Sequence, residues 1–134
     1  MEELFENWEA LPSLADADAA TLAEACRAVL DMKKGYSIAV IRVEGRSDIT
    51  DYLVLCSANS GTHVAALSGE LEFRIGQRGL HPLHTDGGDA RSWQVVDYGT
   101  VMVHIFDREA REFYNLDKLY REPAAAADGT QTEV

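Results

Sequence analysis

The strand predicted at Val101–Phe106 constrains the fold more than any other segment, because both of its faces are apolar. Side chains alternate between the two faces of a strand. One face carries Val101, Val103 and Ile105, and the other carries Met102, His104 and Phe106. A strand of this kind must be covered on both sides, which is typical of a sheet with helices packed against it.

A second strand precedes this one and predicts a hairpin. Its two faces carry Trp93, Val95 and Asp97 on one side and Gln94, Val96 and Tyr98 on the other. The connecting turn is Asp97–Thr100, where Gly99 can adopt a positive φ and Asp97 can accept a hydrogen bond from the turn backbone. The hairpin therefore joins two antiparallel strands with little intervening chain.

A helix is predicted directly after the hairpin. Asp107 is its expected N-cap, and apolar residues recur at near-helical spacing. These residues are Ala110, Phe113, Leu116 and Tyr120. We expect this helix to pack back on the hairpin through that stripe.

The remaining elements complete an α/β pattern. They are a helix at 18–34 ending near Gly35, a strand at 37–43, an apolar strand at 52–56, a helix capped by Asn59 or Ser60 and ended by Gly79, and a strand at 80–85. We predict a mixed five-stranded sheet flanked by helices in the order α-β-β-α-β-β-β-α. The strand–helix–strand unit predicts parallel pairing of its two strands, and the apolar strand should be covered on both faces.

The 134 residues suit one domain with weakly structured ends. We divide the chain into an acidic N-terminal extension at 1–18, a domain at 19–121 and a disordered C-terminal tail at 122–134. In the extension, Leu4, Phe5, Trp8 and Leu11 have the spacing of a short amphipathic helix. We expect it to dock loosely on its own domain, the alternative being a dedicated partner-binding helix.

The net charge of −11 is concentrated at the ends of the chain. The central segment 19–121 holds 14 acidic and 12 basic residues, and Lys33–Lys34 is its one adjacent basic pair. Such a mixed surface favours a basic protein partner over direct nucleic-acid contact. No apolar run approaches the roughly 20 residues of a membrane span, and the acidic start is unlike a signal peptide, so we expect a cytoplasmic protein.

Several short motifs together resemble the ribosomal silencing factor (Iojap-like) family. They are the Asp-Tyr-Gly turn, the Val-His-Ile-Phe strand, the helix at 110–119, Ser47–Tyr52, Asn59–Val64 and Gly79–Leu83. Their order and spacing carry the resemblance, which covers roughly Thr21 to Arg121. It implies a nucleotidyltransferase-like fold and a factor that binds the fourteenth protein of the large ribosomal subunit. Steric exclusion of the small subunit would then repress translation, and members of the family are often homodimers.

The expected contact patch combines aromatic anchors with a few polar groups. It comprises Trp93, Asp97, Tyr98, His104, Arg111 and Tyr114. We expect Asp97 to face a basic residue of the partner. Tyr98 and Tyr114 could equally pack in the core, and core packing is the stronger expectation for Phe106 and Phe113.

The sequence predicts neither catalytic residues nor a bound cofactor or metal ion. Cys26 and Cys56 lack redox or metal-ligand spacing and read as reduced packing residues. His81 and His84 should point to opposite faces of a strand. His63 lies in the first turn of a predicted helix, and we expect His104, in mid-strand, to be a hydrogen-bonded structural residue. The alternatives to silencing are a nucleotidyltransferase-like enzyme that binds phosphate at the Ser57–Gly61 turn and an adaptor for maturation of the large subunit.

Overall fold

The computed structural model describes residues 5–88 and 91–120 of the chain. After a 3₁₀ turn at Trp8–Ala10 the elements are α1 (Ala19–Met32), β1 (Tyr36–Arg42), β2 (Tyr52–Ala58), α2 (Gly61–Gln77), β3 (His84–Asp86), β4 (Trp93–Asp97), β5 (Val101–Asp107), α3 (Arg108–Tyr114) and α4 (Leu116–Tyr120). The α/β class and the predicted order of elements are confirmed, except that the last predicted helix forms two short helices. The predicted tail at 122–134 lies outside the described residues.

The five strands form one mixed sheet in the order β1-β2-β5-β4-β3. β2 and β5 are parallel, whereas the pairs β1–β2, β4–β5 and β3–β4 are antiparallel. The prediction that β2 would pair with the strand after α2 is therefore wrong. The place beside β2 is taken by β5, whose apolar faces match it, and the chain after α2 runs to the far edge.

That edge strand is also shorter than predicted. The Leu80 N–H is bonded to Ile75 O at the end of α2, and Pro82 has no N–H to give to a ladder. Pairing with β4 begins with the bond from Leu83 N to Asp97 O at 2.8 Å. β3 consequently spans only His84–Asp86.

Both faces of the sheet are covered, as the apolar pattern of β5 requires. On one face α1 and α2 pack over Val54, Cys56, Val103 and Ile105. On the other, Leu53, Leu55 and Phe106 pack with Ala110 of α3. The second cover is smaller, and Trp93 and Met102 remain only partly buried on that face.

Local capping signals place the helix ends. Asp18, Ser60 and Asp107 each accept a hydrogen bond from the backbone three residues later, at 2.8, 3.2 and 2.8 Å. Gly79 ends α2 with a φ of 90°, as predicted. At the end of α1 the left-handed residue is Lys34, with φ 74°, and not the predicted Gly35.

The N-terminal extension docks on α2 of its own domain. The indole Nε1 of Trp8 donates to Arg74 O at 2.7 Å, and the Arg78 guanidinium lies 4.4 Å from the centre of the indole ring. Trp8 is 1% exposed. Docking on the domain is as expected, but it is tight, and it is made by a 3₁₀ turn. Leu4 lies outside the described residues.

Within the part of the chain that the structure describes, no helix is both long and apolar enough to cross a membrane.

Candidate interaction surface on the second sheet face

The second sheet face brings together aromatic residues from β4, β5 and α3. The Trp93 ring lies 4.3 Å from that of Tyr114, 5.1 Å from Phe106 and 5.8 Å from His104, measured between ring centres. Phe113 adds an edge contact to Tyr114 at 5.0 Å. We call Trp93, His104, Phe113 and Tyr114 the aromatic face.

Trp93 is held in one orientation by His104. Its Nε1–H donates to His104 Nδ1 at 3.0 Å. Because an indole N–H can only donate, His104 Nδ1 must be the unprotonated nitrogen of a neutral ring. Burial lowers the pKa of His104 to about 4, and the nearby Asp97 carboxylate opposes that shift only in part. The prediction of a hydrogen-bonded structural histidine is confirmed.

Asp97 lies at the end of β4 beside the turn. Its Oδ1 accepts a hydrogen bond from Gly99 N at 2.8 Å, and Gly99 has the predicted positive φ of 93°. The carboxylate is partly exposed at the border of the second sheet face. It can therefore both stabilise the turn and meet a basic group from outside.

Arg111 is tied into the domain. It donates to both carboxylate oxygens of Asp117 at 2.8 Å and to Ser57 Oγ at 2.9 Å. Its side chain is 13% exposed, and its hydrogen bonds lower the pKa of Asp117. Arg111 thus fastens α3 to α4 and to the end of β2, and it offers little side chain to a partner.

Tyr98 lies in the core, which corrects its placement in a surface contact patch. It is 5% exposed and packs with Val96 and Val101 on the α1/α2 side of the sheet. Burial raises the pKa of its hydroxyl, which has no hydrogen-bond partner within the described structure. The alternation of β4 had already placed Tyr98 on the face opposite Trp93 and Asp97.

Phe113 shows the opposite deviation. It was expected in the core, but it is 80% exposed, while Phe106 is fully buried as expected. The predicted helical stripe fails because Asn115 adopts a left-handed conformation with φ 49° and ends α3. Asparagine tolerates that conformation better than most residues, so Asn115 was the signal for the break.

Several polar groups of the Ser57–Gly61 turn make hydrogen bonds within the domain. Ser57 Oγ accepts from Arg111, Ser60 Oγ caps α2, and Asn59 N donates to His63 Nδ1 at 3.0 Å. A Cβ at Gly61 would lie 2.6 Å from Arg91 Cβ, so Arg91 packs directly against the turn. These groups of the turn are therefore engaged within the domain.

The remaining histidine and cysteine candidates make contacts within the domain. The ring of His63 also contacts Lys33 O through Nε2 at 3.1 Å, which links α2 to the end of α1. Cys26 and Cys56 are free and buried, as predicted, and burial raises the pKa of both thiols. Among the described residues, no group of three or more His, Cys, Asp or Glu side chains could hold a metal ion.

Comparison with known proteins gives a consistent result. A family model described as "Ribosomal silencing factor during starvation" matches residues 16–134. The chain is 36% identical over 99 residues to the ribosomal silencing factor RsfS of Haemophilus influenzae, covering 74% of this chain and 97% of that one. It is 30% identical over 95 residues to the mouse protein "Mitochondrial assembly of ribosomal large subunit protein 1", covering 69% of this chain and 42% of that one.

A solved structure agrees on the fold. A crystal structure of a protein from Chromobacterium violaceum matches with a TM-score of 0.74, covering 87% of this chain and 91% of that one. At 18% sequence identity, this similarity concerns the fold alone.

Proposed function

The chain belongs to the ribosomal silencing factor family, and from this membership we propose that it binds the large ribosomal subunit and blocks joining of the small subunit. The family consists of ribosome-associated silencing factors and not of enzymes. The proposed partner is the fourteenth protein of the large subunit, and the proposed site of action is the cytoplasm. Repression of translation follows from occupied space and needs no chemical step.

The aromatic face is the observation that supports a binding role most directly. Tyr114 is 48% and Phe113 80% exposed, and both lie beside a Trp93 that is already fixed by His104. Aromatic anchors that lose little freedom on binding are the residues that most often dominate interface energetics. The Asp97 carboxylate at the border of the same sheet face suits a basic residue of the partner.

A second copy of the chain is part of the proposal. β1 is a seven-residue edge strand, and Val40 on it is 39% exposed. A strand edge with free backbone groups can pair with the same edge of another copy around a two-fold axis. Light scattering after size-exclusion chromatography should give twice the monomer mass, and Val40→Lys should return the monomer.

Sedimentation of purified subunits tests the main proposal. The protein should migrate with the large subunit, and the yield of joined ribosomes should fall in proportion to the amount bound. The variant Phe113→Ala/Tyr114→Ala should weaken binding by more than about tenfold, as expected when interface anchors are truncated. Phe73→Ala is the matched control, because Phe73 is a 58% exposed aromatic on α2, in the helical layer on the other side of the sheet.

Each outcome of this experiment bears on one part of the proposal. Unchanged binding by a folded Phe113→Ala/Tyr114→Ala protein would move the contact away from the aromatic face. If the protein does not migrate with large subunits, the proposed silencing function is wrong. Migration with the large subunit without any loss of joined ribosomes would favour the maturation adaptor, a role consistent with the name of the mouse relative.

A further inference from the structure

A cleft of about 340 Å³ opens at the carboxyl ends of β2 and β5, outside the aromatic face. It is lined by Tyr36, Ser37, Ser57, Arg108, Arg111 and Glu112. The volume is at the lower end of the range for small-molecule sites. Neither the silencing proposal nor the packing of the sheet explains why polar side chains from three elements surround this space.

The position of the cleft follows from the topology of the sheet. β2 and β5 are adjacent and parallel, and their last residues, Ala58 and Asp107, are paired. The helix after β2 covers one face of the sheet, and the helix after β5 begins to cover the other. A crevice therefore opens between the two strand ends. In open α/β sheets, ligands bind at this kind of switch point.

The donors around the cleft suit an oxyanion. Arg108 is exposed and interacts with the Tyr36 hydroxyl, which raises the pKa of its guanidinium. Arg111 uses three of its N–H groups on Asp117 and Ser57, which leaves two of its five. Guanidinium groups on α3 and hydroxyl groups on β1 and β2 thus line the cleft from three different elements.

The backbone of β1 is distorted where it meets the cleft. Pairing with β2 shifts register between Tyr36 and Ala39, and Ser37 between them has a φ of 49°. A bulge redirects the side chains next to it, and left-handed conformations of residues other than glycine cost free energy. Next to this bulge, the Tyr36 hydroxyl donates a hydrogen bond to Ala58 O at 3.4 Å. The same hydroxyl interacts with Arg108.

We propose that this cleft binds one phosphate group carried on a nucleotide. A planar carboxylate is satisfied by a single guanidinium fork, whereas donors converging from several directions fit the tetrahedral oxygens of a phosphate. Glu112 and the Asp117 partner of Arg111 limit the positive charge, which disfavours a triphosphate. The remaining volume accommodates a sugar, and the Glu112 carboxylate can accept hydrogen bonds from its hydroxyl groups.

Binding is measured with the full-length protein in the absence of ribosomes. Titration calorimetry and amide NMR shifts are recorded with AMP, with adenosine as the probe that lacks phosphate, and with a short single-stranded oligoribonucleotide. AMP should bind at least about fivefold more tightly than adenosine, because only AMP offers charge-assisted hydrogen bonds. Its largest shifts should fall at Ser57 and Arg108.

Two variants and one control make the test specific to the cleft. Arg108→Ala should weaken AMP binding by about tenfold, and Glu112→Gln should strengthen it by about two- to threefold, since each removes one charge beside the phosphate. Arg27→Ala is the control, because Arg27 is an ion-paired surface residue of α1. Equal binding of AMP and adenosine, or unchanged AMP binding by Arg108→Ala, would overturn the proposal.

The oligoribonucleotide distinguishes the two sources of the phosphate. Binding tighter than that of AMP indicates an RNA chain, and weaker binding indicates a free nucleotide. Both outcomes support the cleft as a phosphate site. The result is also separate from the silencing proposal, because nucleotide binding by the isolated protein does not depend on whether ribosomal subunits are prevented from joining.

Discussion

At the scale of single residues, the Trp93–His104 pair combines a half-buried anchor with a buried support. The indole N–H needs an acceptor, and His104 supplies it only while its Nδ1 is unprotonated. Burial keeps His104 Nδ1 unprotonated, because it lowers the pKa of the ring from 6.5 to about 4. The orientation of Trp93 is therefore stable at neutral pH.

The same pKa shift predicts how stability depends on pH. Below pH 6.5 the unfolded chain begins to protonate His104, but the folded protein does not until about pH 4. The unfolded state then binds more protons, so the free energy of unfolding falls as the pH decreases through this window, by at most about 3 kcal/mol from this residue. Urea unfolding at several pH values measures the slope.

His104→Gln isolates that contribution, because glutamine can still accept from Trp93 but does not titrate. The variant should show a shallower slope between pH 6.5 and 4 than the parent protein. Identical slopes in the parent and His104→Gln proteins would show that His104 is protonated equally in both states.

Two glycines provide a matched test of close packing. A Cβ at Gly35 would overlap Cys56 Sγ and lie 3.1 Å from Leu30 O, whereas a Cβ at Gly69 would meet nothing within 4 Å. Gly35→Ala should lower the free energy of unfolding by about 1–3 kcal/mol through overpacking. Gly69→Ala, in the interior of α2, should raise it by about 0.5–1 kcal/mol. Denaturant midpoints of the two variants should shift in opposite directions.

At the scale of elements, the N-terminal extension belongs with α2. Besides the Trp8 contacts, Leu14 N donates to Arg78 O at 2.7 Å and Arg78 Nε donates to Pro12 O at 3.1 Å. Phe5 stacks on Trp8 with 4.7 Å between ring centres. A short helical turn is marginal by itself, so these tertiary contacts hold the segment in place.

Truncation of Trp8 should therefore destabilise the whole domain. We expect Trp8→Ala to reduce the free energy of unfolding by about 3–5 kcal/mol, as for other buried aromatic residues. Trp8→Phe should cost about 1–2 kcal/mol, since it retains an apolar ring but loses the hydrogen bond to Arg74 O. Urea unfolding followed by circular dichroism measures both. A loss below 1 kcal/mol in Trp8→Ala would show that the extension adds little to the stability of the domain at 19–121.

The sequence predicts structural features that depend on neighbouring residues better than features that depend on residues far apart in the chain. The caps at Ser60 and Asp107 depend on residues three positions away, and strand alternation depends on the nearest neighbours. The sequence predicts both correctly. The parallel partner of β2 depends on a choice between β3 and β5, which only packing of the whole sheet decides.

For the candidate surface, too, the sequence predicts several of the residues but not the contacts between them. Trp93, His104 and Tyr114 belong to the expected contact patch, and their rings lie together in the structure. The hydrogen bond between Trp93 and His104 required the register of β4 on β5, which the sequence does not reveal. The exposure of Phe113 followed from the left-handed Asn115, a single residue whose effect outweighed the apolar stripe.

At the scale of the whole molecule, the aromatic face and the cleft use different residues of α3. The aromatic face receives Tyr114 from this helix, and the phosphate cleft receives Arg108 and Arg111. Asp117 and Ser57 hold Arg111 in the lining of the cleft. A change in one surface can therefore be made without removing a side chain from the other.

The charge of the whole molecule predicts how binding to the large subunit depends on salt. The net charge is −11, and Arg27, Arg42, Arg74 and Arg111 are ion-paired within the chain. Contact through protein, with at most one phosphate in the cleft, should lose less than about tenfold in affinity between 50 and 200 mM salt, since one phosphate contributes about fourfold. A protein that neutralises six to ten phosphates would lose about 10³-fold or more. Sedimentation at several salt concentrations in that range measures this loss of affinity. The steeper loss would indicate that the main partner is ribosomal RNA and not a ribosomal protein.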